Sequence, residues 1–113
     1  MKNILSELNA LLKEFAPVET GVFSDEAPDE YFVVTPLSDT FELHGDNRPE
    51  YENQEARISI FSKSNYIVLK NNVVMALLAA DFTITARRYI GREDDSGYFH
   101  YSIDASGIYP LEV

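Results

Sequence analysis

The chain has no cysteine and no tryptophan, only two histidines, and five glycines scattered at 21, 45, 91, 97 and 107. Without cysteine there are no disulfides, thiolate metal sites or cysteine nucleophiles, which fits a reducing compartment. The glycines form neither a P-loop nor a dinucleotide fingerprint, and no Gly-x-Ser-x-Gly elbow occurs. No apolar run reaches the length of a transmembrane helix. Glu7, Lys13 and Glu14 interrupt the N-terminal apolar residues, so no secretory leader is read there, and no Asn-x-Ser/Thr acceptor is present. The expectation is a protein made and kept in a cytoplasm, with no membrane partner.

The residues that could carry chemistry are few. His44 and Asp46 form a His-x-Asp pair without further ligands at a diagnostic spacing, so an exposed polar turn is the better reading. His100 falls within a strand pattern, on the side opposite Phe99 and Tyr101, and reads as structural. Glu93-Asp94-Asp95 lacks the spacing of a calcium loop and reads as a solvated turn. Arg87-Arg88 is the only basic pair. As strand neighbours the two face opposite ways, and the expectation is ion pairing to the acidic segment of the same molecule or the next. No catalytic residue, cofactor site or metal site is assigned, and the chain is read as a non-enzyme.

What is present is aromatic content, acid and amphipathic pattern. Of 113 residues, 12% are aromatic and 45% hydrophobic, enough for one folded domain over 1–113. The net charge of −10 is local: residues 19–55 hold eleven acids against one base, Arg48. Such a field repels phosphate backbones, which argues against sequence-specific nucleic-acid binding.

Along the chain, Ile4, Leu8, Leu11, Leu12 and Phe15 follow helical spacing and predict a helix over 3–15, stopped by Pro17. Val18 to Phe23 reads as a short strand, 24–30 as an acidic loop, and 31–35 as a strand ended by Pro36 at an edge, bulge or bend. Residues 38–53 alternate weakly on both sides of a Gly45–Pro49 turn, the pattern of a protruding hairpin arm or long loop too poor in apolar residues to fold unsupported. Ala56, Ile58 and Ile60 mark a half-buried strand. Ser64 or Asn65 caps a second helix over 66–80, whose stripe of Leu69, Val73, Leu77 and Ala80 is widened by Tyr66, Val74 and Leu78. Strands follow over 82–90, with Phe82, Ile84 and Ala86 on one face, and over 98–105, joined by a turn; 106–113 reads as a weakly structured tail. The class is α+β, order α-β-β-β-α-β-β: about five mostly antiparallel strands under two helices on one face, with a helical crossover that permits a mixed sheet.

Two segments, YFVVTPLSDTFELHGDNRPEYENQEARISIFSKSNY (Tyr31 to Tyr66) and DFTITARRYIGREDDSGYFHYSIDA (Asp81 to Ala105), resemble a known class. They are similar to small tail-completion, tail-terminator and head–tail joining proteins of long-tailed phages and prophages of Gram-positive bacteria. The resemblance rests on strings and element order and carries over no individual residue. It implies a non-enzymatic virion protein, assembled in the host bacterial cytoplasm as a homo-oligomeric ring, often a hexamer. Its partners would be the major tail tube protein and the head connector. On this reading Phe41, Leu43, His44, Tyr51, Arg87 and Arg88 are candidate interface residues, and Asp39, Glu42, Asp46 and Glu50 a candidate lumen-facing acidic set. The alternatives are another minor virion protein (head completion or tail assembly), or a monomeric acidic domain that binds partners by mimicking DNA.

Overall fold

The structure is a computed structural model that describes residues 3–19, 28–44 and 48–111, with backbone alone for 42–44 and 48–49. The chain is an α+β fold: α1 (Ile4–Leu12), β1 (Val18–Glu19), β2 (Glu30–His44), β3 (Arg48–Ser62), α2 (Tyr66–Ala79), β4 (Thr83–Arg92) and β5 (Phe99–Pro110). The strands form one sheet ordered β1-β2-β3-β5-β4. β1 runs parallel to β2 through two residue pairs, and all other pairings are antiparallel, so the sheet is mixed. Of the strand expected over 18–23, only Val18–Glu19 lies within the described residues.

Both helices lie on one face. Strand alternation puts Phe32, Ala56, Ile58, Ile60, Ile103 and Ala105 on the same side, where they share a core with Ile4, Leu8 and Leu12 of α1 and Leu69, Val73 and Leu77 of α2. α1 is shorter than its pattern. Its start is fixed by a reciprocal cap in which Asn3 Oδ1 accepts from Ser6 N at 2.8 Å and Ser6 Oγ faces Asn3 N at 3.4 Å. Its end tightens over 13–16, where Phe15 N and Ala16 N both donate to the Leu12 carbonyl. Pro17 disfavours helical backbone at Ala16, so Phe15 leaves the stripe and is 37% exposed. For α2 the cap is Asn65, whose Oδ1 accepts from Ile67 N at 3.1 Å.

Pro36 lies at a bulge, on a stretch of β2 with no outer strand neighbour among the described residues. Phe32 N donates away from β3, to Pro17 O at 2.9 Å. Two-residue alternation then places Pro36 outward too, where its missing N–H costs the β2–β3 ladder nothing. The register shifts immediately after it, between Pro36 and Ser38.

The arm is a β-hairpin, the first of its two expected forms. Two expectations are corrected, one over the tail and one in β4. The tail expected to be weakly structured is the arm's third strand: β5 continues to Pro110 and pairs Gly107 to Pro110 with Gln54 to Tyr51. Tyr109, 4% exposed, turns under α1 and donates its hydroxyl to Glu7 Oε2 at 3.1 Å, and Gln54 Oε1 accepts from Ile4 N at 2.8 Å. The support that the arm's own composition lacks comes from the end of the chain. In β4, bulges between Ile84 and Ala86 and between Tyr89 and Gly91 break the expected alternation. Ile84 therefore shares the helix side with Arg87 and Tyr89, while Ala86 turns to the open side.

Candidate functional site

Three features stand out once the core is removed from consideration. The first is the outer side of α2. Ile67, Val68, Met75 and Leu78 are 48%, 55%, 66% and 52% exposed, and their helical angles place them together opposite Leu69, Val73 and Leu77. Only Asn71 and Asn72 add polarity there, and the one charge of the helix, Lys70, lies inward over the Tyr101 ring at 5.3 Å. The helix therefore presents a second, uncharged apolar stripe to solvent in addition to the one it buries. Leu78 and Ala80, expected on the buried stripe, are both exposed.

The second feature is the sheet face away from the helices. Tyr31, Phe61 and His100 occupy one cross-strand row and stack at 4.7 and 4.3 Å, with Tyr98 edge-on to Tyr31 at 5.3 Å and Lys63 over the Tyr98 ring at 4.9 Å. Two rows further, Arg57 grips Asp104 with Nε–Oδ1 at 2.8 Å and Nη2–Oδ2 at 3.1 Å, and the pair raises the Arg57 pKa through that hydrogen bond. Burial, then the neighbouring Tyr98 and Glu93, push the Tyr31 hydroxyl up.

His100 is the end of this stack, on Phe61. Its Nε2 is buried without a hydrogen-bond partner among the described residues, and burial lowers its pKa from 6.5 against a smaller opposing pull from Glu93. The folded state thus favours the neutral ring. The contribution is fully present above the unfolded value and is lost as pH falls from 6.5 through the lowered folded value. Urea melts from pH 7 downward should show stability falling with acid, and His100→Phe, which keeps the stack on Phe61, should flatten that slope. An unchanged slope refutes the assignment.

The third feature is the pair of sheet edges that have no further strand neighbour among the described residues. β1 covers β2 only at Phe32 and Val33, so beyond Val33 the outer edge of β2 has no strand neighbour among the described residues; β4 is the opposite edge and pairs with β5 alone. Arg87 and Arg88 lie exposed on β4, and among the described residues neither makes an ion pair; the two that exist are Arg57–Asp104 and Arg92–Asp94. Pairing of Arg87 or Arg88 with the β2 arm of the same molecule is precluded, because three strand spacings, about 14 Å, separate the edges.

The other expected site residues scatter. Phe41, 66% exposed, and Tyr51 belong to opposite faces of the arm, since Phe41 pairs with Glu52 and Tyr51 with Glu42 in alternating register. Leu43 and His44 hold strand positions opposite Pro49 and Arg48. Asp39 and Glu42 fall on opposite faces by the same parity, Glu50 sits at the register shift, and Asp46 is outside the described residues. The four acids therefore do not line one surface as a set. Among the described residues no three acidic or histidine side chains gather as a metal site, and no helix is long and apolar enough to cross a membrane.

The concave surfaces are shallow. One, about 450 Å³, lies where α1, the end of α2 and the end of β5 meet, between Glu7, Asp81, Phe82 and Tyr109. A scan against protein-family models finds no match, and a search of curated proteins finds no similar sequence.

Proposed function

We propose that the chain is a structural subunit of a long-tailed phage or prophage particle, acting in tail completion or head–tail joining through a ring of its own copies. The observation that carries this reading is α2. A 14-residue helix that buries one apolar stripe and presents a second, uncharged one to solvent commits a large part of a small molecule to protein contact. The resemblance of the Tyr31–Tyr66 and Asp81–Ala105 segments supplies the particle. The scattering of Asp39 and Glu42 over two faces weighs against a DNA mimic, which needs its acids on one surface.

Inducing a lysogen deleted for the gene should yield unjoined heads and tails with uneven tail ends under the electron microscope. Complementation with Met75→Glu/Leu78→Glu should fail although the variant folds and accumulates. Infectious particles from the deletion strain would refute the assignment.

A further inference from the structure

The geometry points to a specific contact between copies: the outer edge of β4 pairs antiparallel with the outer edge of the β2 arm of the next copy, so that one sheet continues from subunit to subunit. The inference deepens the ring reading and rests on its self-assembly part.

The first ground is charge. β4 carries Arg87, Arg88 and Arg92 and no acid. The stretch 34–44 of β2, which has no outer strand neighbour among the described residues, carries Asp39 and Glu42 and neither lysine nor arginine. Exposed strand edges are commonly guarded by charge, by proline and by bulges, and Pro36 and the bulges here are such devices. A guard against self-pairing works best with the same sign on both edges. Opposite signs guard each edge against itself while attracting the other. A two-fold dimer through either edge would set Arg87 and Arg88 against their own copies, or Asp39 and Glu42 against theirs. A head-to-tail contact sets unlike charges together, and head-to-tail contacts are the ones that generate rings.

The second ground is geometry. Between its two register shifts β4 is regular over 86–89, the stretch that holds Arg87 and Arg88; between its own two, β2 is regular over 38–42, the stretch that holds Asp39 and Glu42. Arg87 and the register position of Asp39 are on the helix side, and Arg88 and that of Glu42 on the open side. If Arg87 stands opposite Phe41 in an antiparallel pairing, each arginine has its acid as the diagonal neighbour on the same face, about 7–8 Å away and within the reach of an arginine. Strand direction agrees. Three antiparallel pairings separate β2 from β4, so the two run oppositely within a molecule, and rotation about an axis along the strands preserves that relation between neighbours.

The test is a charge exchange read by native mass spectrometry and sedimentation velocity at low ionic strength. Wild type should form oligomers that dissociate as salt rises. Arg87→Glu/Arg88→Glu makes both edges acidic, and Asp39→Lys/Glu42→Lys makes both basic. Each variant alone should be monomeric, with an unchanged far-ultraviolet spectrum and melting temperature. Mixed in equal amounts they should assemble, alternating, and so should a chain carrying all four changes. Oligomers that persist in both single-edge variants overturn the edge contact and leave the ring reading standing. A wild-type chain that stays monomeric at every salt and concentration overturns both.

Discussion

Phe32→Ala should cost about 3–5 kcal/mol, the range for removing a large aromatic from a packed interior. Phe32 is fully buried and, among the described side chains, is the only large apolar one that β2 sends wholly into the core. It stands opposite Ile60, shares the core with Leu8 and Leu12, and its own N–H fastens the Pro17 carbonyl at the approach to β1. Truncation would open a cavity where α1, β1 and the central sheet meet, and the neighbouring strands, held by ladders on both sides, cannot collapse into it. Domains have about 5–15 kcal/mol in all, so the variant should lose a large share of its stability. Urea unfolding should show the midpoint fall sharply, whereas Thr35→Ala, three residues on and exposed, should move it by no more than about 0.5 kcal/mol. A Phe32→Ala midpoint near that of wild type would mean that the packing around β2 is wrong.

Patterns with a fixed period were legible in the sequence. Ile4, Leu8 and Leu12, then Leu69, Val73 and Leu77, are spaced by the helix, and Ala56, Ile58 and Ile60 by the strand; all nine are in the core. Where a bulge interrupts the period, the pattern misleads: Ile84 and Ala86 read as one face, yet the extra residue Thr85 separates them and swings Arg87 and Tyr89 toward the helices. A bulge is a backbone event with little compositional mark. The candidate surfaces were legible as residues and not as places. Phe41, Tyr51, Arg87 and Arg88 were named together, but register puts Phe41 with Arg87 on one side and Tyr51 with Arg88 on the other. The opposite charges of β2 and β4 could be counted in the sequence, yet which strands become edges depends on β5 inserting between β3 and β4, a long-range choice that no local pattern carries.

The end of the chain was the largest misreading, and it yields the second large effect. Ser106-Gly107-Ile108-Tyr109-Pro110 has a glycine and a proline and too little alternation to suggest a strand. The glycine is there for packing: a Cβ on Gly107 would lie 3.0 Å from the Tyr109 ring, which folds back over it. Tyr109 in turn covers the arm's base, and burial followed by its hydrogen bond to Glu7 raises its hydroxyl pKa well above 10. Tyr109→Phe should cost only about 0.5–1.5 kcal/mol, the net worth of one hydrogen bond. Tyr109→Ala should cost about 3–5 kcal/mol, because it also empties the space between α1 and the arm. Hydrogen exchange separates this from a general loss of packing. In Tyr109→Ala the amides of 51–54 and 107–109 should lose protection first and most, while those of Ile58, Ile60 and Ile103 keep theirs until global unfolding. Uniform loss across β3 would show instead that the arm and the body unfold as one unit, and that the C-terminal strand supports the whole sheet rather than the arm.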